Sequence, residues 1–444
     1  MSFHDLRGCP TSSCNSQSLQ RYEQALDLSA GYFMDPLAAI QDALDADPEF
    51  LMGHCLRAGL ALMATDRAML PLLVDSVGVL HRCVRRANDR ERAHLAAAHA
   101  WLDGDFAGSI RRYGDILLEH PHDLLALQIA HLGDFFLGAS SMLRDRIAQV
   151  LPLWSRAMPG YGYVLGMYAF GLEETGAYSR AEETGRRALE VNRRDPWAVH
   201  AVVHVTEMQG RAREGIEFLA AREPDWAPDN GFAFHNWWHL ALLHLDLGEH
   251  SRVLELYDQR IRPGGSQVPL AMIDASAMLW RLQLRDIDIG SRWSELAEDW
   301  APCVEHAYYA FNDVHAVMAF LGARRFDLAH RTIAALERKA GERDTNAMMS
   351  RDVGLPLARA LLAYAEGHYG EAVDLLLPVR AIAHRFGGSH AQRDLIHLTL
   401  LEAALRAGQG RLARALSAER TERKPASIFN WQLASRARAL RGQG

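Results

Sequence analysis

Residues 197–210 read "WAVHAVVHVTEMQG" and set His200, His204 and Glu207 four and then three positions apart. On a helix, at about 100° per residue, the three side chains fall within roughly 60° of arc. Two imidazoles and a carboxylate can hold zinc, manganese or iron and leave coordination positions open for water or substrate. A metal bound there would lower the pKa of its water and make a nucleophile. Without a metal, Glu207 and His204 could still act as general base and acid. A second pair, His235 and His239 in "FHNWWHLALLHLDLG", is also four apart and shares a helix face. The cofactor these five residues imply is a divalent metal.

Other polar groups are candidates for ligand contact. Asn312, Asp313 and His315 stand in "AFNDVHAVMAFLG", and Arg351 and Asp352 in "SRDVGLPLARALLAYAEG". His390, Gln392, Arg393, Asp394 and His397 stand in "GGSHAQRDLIHLTL". The arginines suit a carboxylate or another anion in a ligand. Each has a plainer reading. Trp237 and Trp238 can pack between repeats. Asp313 can cap or brace its helix. Arg351 and Asp352 can be a structural ion pair. Ser389 and Gln392 read as a capping box, which makes His390 and His397 structural. His54, His94, His99 and His131 show no comparable cluster.

These groups need elements to position them, and the elements repeat. Glycine turns followed by helical patterns occur at Gly104, Gly138, Gly176, Gly210 and Gly248, with steps of 34, 38, 34 and 38 residues. Further turns are expected at Gly322, Gly367 and Gly410. Each unit reads helix, glycine turn, helix, short acidic or proline turn, and strand alternation is absent. The pattern resembles the tetratricopeptide repeat, with Gly176, Tyr178, Ala181, Ala188 and Pro196 in its characteristic places. Such units bury their faces only by stacking. The expected fold is an all-α helical-repeat solenoid of about eleven helix pairs. It would form one continuous superhelix over 21–425, with a flexible tail over 1–20 and a C-terminal helix or tail over 426–444. In this repeat class the first helix of each pair lines the concave surface. Trp197, His200, His204 and Glu207 then face inward.

Composition narrows the classes. The 444 residues are 49% hydrophobic and 23% charged, ordinary for a globular chain, with a net charge of −7. That balance argues against a nucleic-acid partner. Five scattered cysteines without a Cys-x-x-Cys pair suit a reducing compartment and exclude a thiolate zinc site. Cys9 and Cys14 fall in the segment expected to be loose. No secretory leader and no membrane-spanning run are evident, so the cytoplasm is the expected location. No nucleophile elbow is present, and the glycine-rich "RPGGSQVP" and "FGGSH" follow no strand.

Several stretches together are similar to the tetratricopeptide repeat protein 38 family. They are "WAVHAVVHVTEMQG", "FHNWWHLAL", "MIDASAMLWRLQL", "FNDVHAVMAFLGA", "SRDVGLPLARAL", "LLLPVR" and "GGSHAQRD", and the resemblance runs from about residue 20 to about 425. It implies an α-helical repeat fold and no established reaction. It places His200, His204, Glu207, His235, His239, Asp313, His315, Arg351, Asp352, Arg393 and Asp394 in family-like motifs, while His390 and His397 depart from them. The leading expectation is a concave-face pocket for a small, anionic ligand, with His200, His204, Glu207, His235 and His239 as its floor. The alternatives are a metal-dependent hydrolase or oxygenase using the same residues, and a protein-interaction scaffold that binds a peptide. A homo-oligomer is compatible with each.

Overall fold

The computed structural model describes residues 3–13 and 15–440, so Cys14 lies outside the described residues. Apart from a two-stranded ribbon, the regular structure is helical, from Ser16–Ala30 to Ile428–Ala439. Consecutive helices pack as pairs: Asp89–Leu102 on Phe106–Glu119, Tyr161–Glu173 on Tyr178–Val191, and Leu355–Ala365 on Tyr369–Val379. This is an all-α repeat architecture of the tetratricopeptide type. The chain divides into two compact units, Met1–Val202 with Glu223–Ala233, and Val203–Arg222 with Phe234–Gly444.

The glycine turns work as the sequence implies. Gly104, Gly138, Gly176, Gly210, Gly248 and Gly367 all have φ between +66° and +83°. At Gly210 the turn is closed by Arg211 N–H on the Thr206 carbonyl at 2.8 Å and Gly210 N–H on the Glu207 carbonyl at 3.0 Å. That pairing satisfies the carbonyls a helix end leaves free. Two expected positions shift and one further turn is added. Gly322 lies inside the helix Ala310–Gly322, where a Cβ would fall 2.3 Å from the Trp293 ring, and Arg324 takes the left-handed turn with φ +57°. Gly408, with φ +70°, takes the turn expected at Gly410. Asp286, 38 residues after Gly248, supplies the turn that no glycine marked, with φ +56°. Aspartate enters this conformation more readily than most residues.

In the first unit, residues 3–13 are not the loose tail expected over 1–20. Phe3–His4 pairs antiparallel with Pro10–Thr11, and Asp5, Arg7 and Cys9 are buried. Arg90 bonds Asp5 at 3.1 Å and Asp123 at 2.6 Å, and Arg7 bonds Glu23 at 2.8 Å. Buried charges persist only when paired, so these ions hold the ribbon against the helices.

In the second unit the chain turns back on itself. The helix His390–Arg406 packs on Pro269–Gln283. Arg281 Nη2 donates to the Ala391 carbonyl at 2.6 Å, and Trp280 Nε1 to Thr399 Oγ1 at 3.1 Å. Ser427 Oγ donates to Asp246 at 2.6 Å, which ties the start of the last helix to the end of Ala233–Asp246.

Candidate metal centre

Three helices build the site in the second unit. Pro196–Met208 enters it at Val203 and carries His204 and Glu207. Its first turn is set by Asp195, whose Oδ1 accepts from Trp197 and Ala198 N–H at 2.9 and 3.1 Å, with Pro196 at the first helical position. This is a favourable start for a helix. Ala233–Asp246 carries His235 and His239 one turn apart, and Pro269–Gln283 carries Asp274. His204, His239 and Asp274 are at most 1% exposed, and Glu207 and His235 are 8% exposed.

The side chains form one line. His239 Nδ1 donates to Glu207 Oε2 at 2.8 Å. His235 Nδ1 donates to Asp274 Oδ2 at 2.7 Å. The remaining ring nitrogens, the two Nε2 atoms, face each other at 3.3 Å. His204 lies against His239, with ring centroids 4.4 Å apart, and offers a third nitrogen; the three nitrogens lie within 4.8 Å of one another. Trp238 stacks on His235 at 5.3 Å and meets His239 edge-on at 4.9 Å, which fixes both rings.

The carboxylates decide the tautomers. An oxygen acceptor at Nδ1 puts the proton there and leaves Nε2 as a bare lone pair. Two lone pairs then point at each other. Burial pushes the His239 pKa well below its usual value, and His204, His235, Arg281 and Lys424 push it the same way, so this ring stays neutral. Burial raises the Asp274 carboxyl, against the opposing pull of His235 and Arg281. A separation of 3.3 Å is long for a hydrogen bond between the rings. It matches the edge of a zinc tetrahedron, since two nitrogens about 2.0–2.1 Å from the ion sit about 3.3 Å apart. The donor set of neutral imidazoles backed by carboxylates fits such an ion.

The other expected site residues are placed as follows. His200, one turn before His204, is buried in the first unit against Trp197, Phe170 and Phe232, with centroids at 4.9, 5.0 and 5.3 Å. Glu207 stands behind His239 rather than at the facing nitrogens. Asp313 is buried and its carboxyl is pushed up to about 7. His315 Nδ1 donates to its own helix at Phe311 O, 2.7 Å away. Arg351 and Asp352 sit on the π-helical turn Ser350–Gly354, where Arg351 pairs with Asp352 at 3.5 Å and Arg385 with Asp352 at 2.9 Å. Arg393 donates to the Gly388 carbonyl, and Asp394 is gripped by Arg420 at 2.5 and 3.1 Å. Ser389 and Gln392 form the expected capping box. Asp274 was not singled out by spacing: it is a lone acid in an apolar helix, and its only signal was a place in "MIDASAMLWRLQL".

The fold and site define a helical-repeat protein of tetratricopeptide type with a buried histidine–carboxylate line. No family model matches the chain. Solved structures with a similar course of helices include the human IFIT1 dimer with m7Gppp-AAAA, 11% identical over 96% of this chain and 96% of that one, with a TM-score of 0.39. Yeast Tom70 is 13% identical over 91% of this chain and 84% of its own, with a TM-score of 0.33. The P58(IPK) TPR domain is 17% identical over 89% and 99%, with a TM-score of 0.22. Likeness at this level carries no argument about function. Among the described residues, no helix is long and apolar enough to cross a membrane.

Proposed function

We propose that this protein is a metal-dependent enzyme of hydrolytic class, with His204, His235 and His239 as ligands to one divalent transition-metal ion. The observation that carries the reading is the pair of Nε2 atoms facing at 3.3 Å, each imidazole backed by a buried carboxylate. Glu207 and Asp274 orient the ligands and make them more basic. When bound, the ion would supply a water nucleophile at neutral pH. The motifs that resemble the tetratricopeptide repeat protein 38 family carry these residues, and membership of that family is part of the proposal.

The test is elemental analysis of protein purified without a histidine tag, followed by back-titration of the chelated form with zinc, manganese and iron(II). One equivalent of metal is expected, with loss on His235→Ala or His239→Ala. Protein that is metal-free as purified and takes up none of the three on titration sinks the reading and leaves a protein-interaction scaffold.

A further inference from the structure

The first unit contains a second polar site, unrelated to the three histidines. A cleft on its own helices is lined by Tyr32, Gln128, His131, Tyr163, Asp195 and Trp197 among others, and its enclosed part has room for one water-sized group. Asp195 is fully buried. Its Oδ1 is used by the helix start, whereas Oδ2 has no hydrogen-bond partner. Gly166 makes room for that oxygen, since a Cβ there would lie 2.6 Å from it. Tyr32 holds a left-handed backbone with φ +56° and stacks its ring on Trp197 at 5.5 Å. Such strain at a pocket wall is retained where the surroundings over-determine it.

Among the described residues that line the cleft there is no arginine or lysine to balance an ionised Asp195. His131 is held neutral, its pKa pushed down to about 3 by burial. Tyr32 and Tyr163 are the other titratable groups facing the carboxyl, and burial raises both phenols. Asp27 lies behind Tyr163, accepting its hydroxyl at 3.2 Å, and is itself an acid. A buried, unpaired carboxylate is costly. Burial accordingly raises Asp195 to about 7. The missing partner is a small donor-rich cation. The aromatic rings in the cleft's lining, Tyr32 and Trp197, suit the same charge.

We propose that this cleft binds the ammonium head of a small primary amine, with Asp195 Oδ2 as its counter-ion and Tyr32 and Trp197 beside it. The head is the size of the enclosed space, and its N–H groups give Oδ2 the donor it lacks. Below about pH 7, binding also releases the carboxyl's proton to solvent.

The full chain is titrated calorimetrically at pH 8 with n-butylammonium, and separately with butan-1-ol and tetramethylammonium. The proposal expects saturable one-to-one binding of n-butylammonium alone. Asp195→Asn, which keeps the helix cap, should weaken it at least tenfold with the fold intact by circular dichroism. Should that variant not fold, the wild-type pH series decides. Below about pH 7 the carboxyl binds a competing proton, so affinity should fall about tenfold per pH unit. Equal binding of butan-1-ol, an unchanged Asp195→Asn affinity, a flat pH series, or no saturable heat at millimolar amine (a water site only) each overturns the proposal.

Discussion

Carboxylates give the histidine line its direction. Asp274 and Glu207 each accept from an Nδ1–H, and this orients both Nε2 atoms toward one point. Asp274→Asn keeps an oxygen acceptor of the same size but removes the charge that makes His235 a stronger donor to metal. Metal affinity should fall about 10–100-fold, measured by competition with a chromophoric chelator. Unchanged affinity would remove Asp274 from the site. His315, away from this line, makes a separate prediction about acid. Burial pushes its pKa down to about 4, while the unfolded chain protonates the ring near 6.5. Between those values the unfolded state holds more protons, so this group costs stability as pH falls from about 6.5 toward 4. The loss reaches about 2 kcal/mol at pH 5. His315→Gln should therefore lose about 2 kcal/mol less than wild type between pH 7 and pH 5 in urea unfolding. Parallel losses in the two proteins would show that the ring is not held neutral.

Helix ends make the site readable or hide it. The helices of His204 and His239 end in glycine turns at Gly210 and Gly248, so period and spacing alone mark their histidines as candidates. The helix of Asp274 is followed by a left-handed turn at Asp286, without a glycine, so the glycine spacing steps over it. Its acid therefore went unnoticed, and so did the carboxylate behind His235. For the charged candidates of the later helices, sequence shows the charge but not the partner that meets it, such as Arg420 for Asp394 and Asp352 for Arg351. The loose tail failed likewise, because the ions that anchor it, Arg90 and Asp123, lie far along the chain. The turns themselves make a graded prediction. Gly176 has φ +77° and open space where a Cβ would stand, so Gly176→Ala should cost only the left-handed backbone, about 1–2 kcal/mol. Gly210 has φ +72° and would also place its Cβ 3.0 Å from that of Ala426 and 3.3 Å from Lys424 Cγ. Gly210→Ala should cost more than Gly176→Ala in thermal unfolding, and equal costs would mean the C-terminal segment yields freely.

At the scale of the whole chain, a repeat architecture makes ligand effects local, because each repeat is stabilised mainly by its neighbours. A metal ion that binds only the folded state adds about 4 kcal/mol when its concentration is a thousandfold above Kd. That stabilisation belongs to the segments that hold the ligands. In the second unit these are residues 203–208 and Ala233–Asp246 directly, through His204, His235 and His239, and Pro269–Gln283 through Asp274. In the first unit, Asp89–Leu102 and Phe106–Glu119 pack on each other, and Arg90 adds its own buried pair with Asp123. Removing the metal with a chelator should therefore speed amide exchange in Ala233–Asp246 and Pro269–Gln283 by one to several orders of magnitude, as those openings lose up to about 4 kcal/mol. The two first-unit helices should exchange as before. Hydrogen exchange read by mass spectrometry on the full chain, with and without chelator and again after metal is restored, distinguishes the outcomes. Acceleration spread evenly over both units would assign the ion a general role in folding, and no change anywhere would remove it from the histidine line. Recovery on restoring zinc, but not calcium, would fix its chemistry, since calcium takes oxygen ligands and three imidazoles offer none.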